Sequence, residues 1–207
     1  MAIETHQVSL HTADGLALVG DALVPDAPVA AVAICHPHPR FGGNRFNTVV
    51  DALHRGLSAR GVATLRFDFR GVDGSEGVHD GGDAERIDAA AALAALGALT
   101  DAPIWLAGYS FGAAVALDTA TPDLRGWLAV APPLAAMPGS RRAAADDRPT
   151  HLLVAGHDQF SPPAPTAEAT AGWLATTTSV LASADHFLAG HLDRVVAWAI
   201  DALGLDA

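Results

Sequence analysis

The sequence predicts an α/β fold: an eight-stranded, mostly parallel sheet with helices on both faces and no lid domain. Three observations lead there. From residue 29 onward, apolar runs of four to eight residues alternate with segments of helical spacing, a pattern that suits strands covered on both faces. The 207 residues are 50% hydrophobic and 17% charged, with a mean hydropathy of +0.26. A chain of that size and composition can bury one sizeable core and is too short for two ordinary ones, so 1–207 reads as a single domain. The one break that resembles a linker, MPGSRRAAADDRP at 137–149, is too short to be an inserted domain and reads as a surface loop.

The elements follow in order. HQVSLHT (6–12) and LALVGDALVP (16–25), split by Asp14-Gly15, form a hairpin. VAAVAICH (29–36), bounded by prolines, is the third strand. Asn44 caps a helix whose apolar face carries Phe46, Val49, Val50, Leu53 and Leu57 and which stops at Gly61. VATLRFDF (62–69) is a strand, RGVDGSEG a loop, and a helix spans about 83–99, where DAAAALAAL keeps its leucines at helical spacing. Beyond Pro103, strands IWLAG (104–108), GWLAVAP (126–132), HLLVAG (151–156) and SVLAS (179–183) are joined by helices over 111–120 and about 163–174. A last helix sets Leu192, Val195, Val196, Ala199 and Leu203 on one side.

A net charge of −11 and a pI near 5.1 speak against nucleic-acid and anionic-membrane partners, which need a basic surface. No stretch approaches 18 uninterrupted apolar residues. MAIETHQVSLHTADG lacks the basic segment and apolar run of a secretory leader. Cys35, the single cysteine, excludes an internal disulfide and suits a reducing compartment. The expectation is a cytoplasmic protein acting on a small molecule, with no nucleic acid and no membrane as partner and its oligomeric state open.

LAGYSFGAA (106–114) holds Ser110 between Gly108 and Gly112. So short a pattern can arise by accident in a chain with 20 glycines, and its setting decides. A strand runs into it and a helix leaves it, as a nucleophile on a sharp turn requires. The glycines are needed because strand and helix nearly touch there, and the helix N-terminus favours developing negative charge.

A serine hydroxyl needs a base and an acid that orients it. Asp158 follows one later strand and His186 follows the last, both at carboxyl ends of parallel strands. Asp185 and His157 are neighbouring substitutes that rank second. The oxyanion of an acyl-transfer intermediate needs two backbone donors. Phe111 supplies one, and His38, the residue between Pro37 and Pro39 in HPHPRFGGN, supplies the other.

HPHPRFGGNRFN, RFDFRGVDGSEG, GYSFGAA and ADHF, in this order and spacing, resemble the α/β-hydrolase superfamily over about residues 15–203. The similarity is to its small lidless members, akin to dienelactone hydrolases and acyl-peptidase-like esterases. The resemblance implies a serine hydrolase with Ser110 as nucleophile, Asp158 as acid, His186 as base, and Phe111 and His38 as oxyanion donors. Two departures stand out. Dienelactone hydrolases carry cysteine where this chain has Ser110, and relatives commonly place two residues between the glycine and the acid, where this chain has His157 alone.

The expected activity is cleavage of carboxylic esters with small or medium acyl groups. Two rival readings remain: a serine peptidase for short peptides, and a non-catalytic binding module on the same fold. His36-Pro37-His38 has the H-x-H spacing of some metallohydrolases but lacks the aspartate–histidine pair that follows it, and no HExxH is present. No metal and no cofactor are expected. Arg66, Asp68 and Arg70 alternate along one strand and should form internal ion pairs. Arg40 reads as a solvated surface residue, and Cys35 as a core residue.

Overall fold

The computed structural model describes residues 5–137 and 141–205. Strands β1 (Thr5–His11), β2 (Ala17–Leu23), β3 (Ala30–Cys35), β4 (Val62–Phe67), β5 (Ile104–Tyr109), β6 (Leu124–Val130), β7 (Thr150–Ala155) and β8 (Thr176–Leu181) form one sheet. Its order is β1-β2-β4-β3-β5-β6-β7-β8. β2 runs antiparallel to β1 and β4, and every other pairing is parallel.

Alternation along the inner strands separates two apolar layers. Ala31, Ala33 and Cys35 of β3 join Leu65 and Phe67 of β4 on the face covered by α2 (Glu85–Gly97) and α3 (Phe111–Asp118). Ala30, Val32 and Ile34 face α1 (Thr48–Ser58) and α5 (Leu192–Ala202) with Tyr109, Leu128 and Leu153. A short helix, α4 (Pro163–Thr170), connects β7 to β8.

The chain leaves β3 toward β4 on one side and resumes at β5 on the other. That reversal makes the carboxyl ends of β3 and β5 the topological switch point, the place where open α/β sheets bind ligands.

Most boundaries move by a residue or two from expectation, and three move further. α1 is capped by Asn47, whose Oδ1 accepts Val49 N–H at 3.0 Å, and not by Asn44. Asn44 instead accepts Phe46 N–H in a turn, which leaves Phe46 outside the helix beneath the guanidiniums of Arg45 and Arg66. Either asparagine has the chemistry of a cap, and spacing alone does not choose between them. α4 stops at Thr170 ahead of Gly172, so the helix expected to reach 174 is shorter. β8 begins at Thr176 because a solvent-facing edge strand suits polar β-branched threonines, which a search for apolar runs passes over.

The 137–149 stretch is more than a loop. Arg142–Ala145 make a 3-10 turn with Ala143 buried, and Arg141 pairs with Asp118 of α3. The rest of that prediction, 138–140, lies outside the described residues. The charged residues of β4 and its following loop do form internal ion pairs, though with partners far along the chain. Arg66 meets Asp51 at 2.7 Å, Asp68 meets Arg45, and Arg70 meets Asp88 at 2.7 Å and Asp14 at 2.9 Å.

Two buried histidines each contribute a stabilisation that is lost toward acid. Burial lowers His36 and His54 to about 4 from 6.5. The unfolded chain therefore binds these protons first as pH falls, so their stabilising neutrality is complete above about 6.5 and is lost on the way to about 4. Burial raises the carboxyls of Asp68, Asp88 and Glu85, which acts in the opposite sense, so one histidine must be isolated. His54 Nδ1 lies 2.9 Å from the Thr64 hydroxyl, a bond that asparagine can reproduce. Urea unfolding at pH 7.5 and 5 should lose about 2 kcal/mol less between those values in His54→Asn than in wild type. An unchanged difference would refute the assignment.

Candidate active site

Ser110 follows β5 directly with φ 53° and ψ −120°. A non-glycine residue adopts that conformation only where its surroundings hold it, and here its N–H donates to Val130 O at 2.9 Å. The flanking glycines are steric requirements. A β-carbon on Gly108 would lie 2.2 Å from Gly112 O, and one on Gly112 would lie 2.4 Å from Cys35 O. Gly112→Ala should therefore cost about 3 kcal/mol in urea unfolding. A loss of a few tenths would show that the turn can relax.

The loop after β7 carries Asp158 and the loop after β8 carries His186, 4% and 7% exposed. His186 Nε2 lies 3.0 Å from Ser110 Oγ, and His186 Nδ1 lies 2.7 Å from Asp158 Oδ2. The other carboxylate oxygen, Oδ1, accepts Phe160 and Ser161 N–H, both at 2.8 Å. Burial alone would raise the Asp158 carboxyl, but hydrogen bonds from His186, Ser161 and Phe160 outweigh it and hold the group below its ordinary range. The two substitutes lie elsewhere. Asp185 is exposed and accepts Phe187 N–H at 3.0 Å, and His157 is exposed with its N–H on Ala184 O.

The His38 loop lies beside this group. Among the described residues, neither His38 N–H nor Phe111 N–H donates a hydrogen bond, and the two side-chain rings meet at 4.9 Å between centroids. Gly43 lets the loop close on itself, since a β-carbon there would fall 2.0 Å from Pro37 O. The two histidines of His36-Pro37-His38 diverge. His36 is fully buried, its Nε2 accepts Phe69 N–H at 3.0 Å and its Nδ1 lies 2.7 Å from Pro37 O. It is thus a neutral imidazole with its proton on Nδ1, tying the loop to the end of β4. Arg40 is exposed and Cys35 is buried, its thiol pushed upward by desolvation.

Several supporting residues escaped the sequence reading. Tyr109 O–H donates to His186 O at 2.8 Å, and Ser161 O–H donates to Pro132 O at 2.7 Å. His79 Nδ1 lies 2.6 Å from Oε1 of the fully buried Glu85, with its ring against those of His38 and Phe111. The Asp-x-x-Ser spacing at 158–161 is a legible turn signal, whereas nothing in the linear order joins Tyr109 to the backbone of residue 186.

Comparison with known proteins agrees with this architecture. A protein of unknown function from Agrobacterium tumefaciens superposes with a TM-score of 0.84 at 30% identity, covering 96% of this chain and 95% of that one. An alpha-beta serine hydrolase homologue from Coxiella burnetii gives 0.81 at 25%, covering 97% and 98%. An a/b serine hydrolase without lid from Xanthomonas campestris gives 0.82 at 24%, covering 100% and 98%, a likeness of fold. An uncharacterized protein of Rickettsia prowazekii (strain Madrid E) is 39% identical over 117 residues, 53% of this chain and 47% of that protein. The chain thus spans about half the length of that curated relative. No helix among the described residues is long and apolar enough to cross a membrane. The alpha/beta hydrolase family model matches residues 32–199, the stretch that runs from β3 through the strained serine turn into α5, and the chain belongs to that family.

Proposed function

We propose that this protein is a serine hydrolase that cleaves carboxylic esters through an acyl-enzyme intermediate. Ser110 Oγ attacks the acyl carbon while His186 Nε2 takes its proton. Asp158 holds the imidazole with its remaining proton on Nδ1 and stabilises the imidazolium that forms. The N–H groups of Phe111 and His38 receive the oxyanion. His186 then protonates the departing alcohol, and water attacks the acyl-enzyme by the same route in reverse.

The observation that carries this reading is the hydrogen-bonded chain from Ser110 Oγ through His186 to the buried Asp158 carboxylate. It joins three residues from three different strand ends, 28 and 76 positions apart in the pairs that touch. A binding module has no use for that arrangement. The test is a panel of p-nitrophenyl esters of rising acyl length, run beside matched anilides and a fluorophosphonate probe. Ester turnover with labelling of Ser110 and no measurable anilide turnover is the expected result. Measurable anilide turnover would favour the peptidase, and the absence of both labelling and turnover would favour the binding module.

A further inference from the structure

We propose that Phe160 and Phe187 form a leaving-group subsite that selects esters of aryl-bearing or similarly bulky apolar alcohols. The proposal rests on the reading of Ser110 and His186 as nucleophile and base. His186 Nδ1 is committed to Asp158, so Nε2 is the nitrogen that must return a proton to the departing oxygen. The balance is simple. The Ser110 Oγ–acyl bond forms, the acyl–oxygen bond of the ester breaks, and the serine proton leaves with the alcohol. Water then supplies the hydroxyl of the acid and the proton that restores Ser110. In every productive complex, then, the alcohol portion lies within hydrogen-bond reach of this imidazole. Exposed side chains against this ring are therefore the ones placed to meet the leaving group.

Three aromatic rings besides Ser110 meet it. Tyr109 lies behind, buried, its hydroxyl committed to His186 O. Phe160 and Phe187 stand at 4.9 and 5.9 Å from the imidazole and 6.5 Å from each other, at steep mutual angles. They are 49% and 58% exposed and belong to neither apolar layer of the core. Exposed apolar residues are common singly, but two large rings adjacent to each other and to the imidazole make a patch of the kind that marks a ligand-binding surface. The backbone that carries each ring is held in place, because each residue sits two positions after an aspartate that accepts its N–H, Asp158 and Asp185 respectively. Neither ring offers a charge or a hydrogen bond, so the subsite discriminates by apolar area and edge-to-face contact.

The experiment compares kcat/KM for the benzyl and methyl esters of one acid, whose alcohols leave as primary alkoxides of similar basicity. Wild type should prefer the benzyl ester by on the order of tenfold. Phe160→Ala/Phe187→Ala should bring that ratio close to one, and Phe160→Leu/Phe187→Leu should restore part of it. Truncating half-exposed side chains leaves the two backbone N–H bonds intact, and the rate of fluorophosphonate labelling reports whether Ser110 is still activated. A labelled wild type with no benzyl preference, or a preference that survives in the double alanine variant, overturns the subsite while the hydrolase reading stands. A wild type that neither labels nor turns over any ester overturns that reading and the subsite with it.

Discussion

Ser110→Ala will lower kcat for ester hydrolysis by on the order of 10⁵–10⁶-fold and abolish fluorophosphonate labelling, with its unfolding midpoint little changed. The size follows from the site's design. In the proposed mechanism His186 and Asp158 act on a proton that only the serine hydroxyl supplies, so removing it would disable all three residues together. What should survive is the background from the proposed oxyanion donors and substrate binding. The substitution also replaces one L-residue with another at φ 53°, so the backbone strain is the same before and after and the turn should hold. A variant that keeps more than about a hundredth of wild-type kcat would place the nucleophile elsewhere.

Asp158→Asn is the second large effect, expected at about 10⁴-fold in kcat. Its mechanism can be read from the carboxylate. Because Oδ1 accepts from Phe160 and Ser161 N–H, asparagine would keep its carbonyl oxygen there and turn its NH2 toward His186 Nδ1. Nδ1 would then have to accept, the ring proton would move to Nε2, and His186 could no longer take a proton from Ser110. The same change at Asp185 leaves its bond to Phe187 N–H available and should alter kcat by less than about threefold, as expected of an exposed residue outside such features. Steady-state kinetics on both variants, with circular dichroism to check folding, separates them. Equal losses would sink the choice of Asp158.

Much of this was legible in the linear order because local rules produce it. Apolar runs and helical spacing mark the strands and helices, since each element must bury one stripe or both faces. Gly108 and Gly112 announce the sharp turn at Ser110, since no larger residue fits where strand meets helix. Boundaries blurred where two residues have equal local chemistry, as Asn44 and Asn47 do, or where an exposed edge strand carries threonines in place of apolar residues.

The sequence by itself determined the sheet with its covering helices, the serine at its strained turn, and three strand ends where chemistry could assemble. Only the tertiary structure decided that Asp158 and not Asp185 meets His186, that Tyr109 and Ser161 brace the two loops, and that His79 stands on Glu85 beside His38. It also decided that Phe160 and Phe187 flank the imidazole. The reason is physical. Secondary structure follows from periodicities a few residues long, whereas a hydrogen bond across 28 or 76 positions depends on where the sheet twist and loop lengths deliver each side chain.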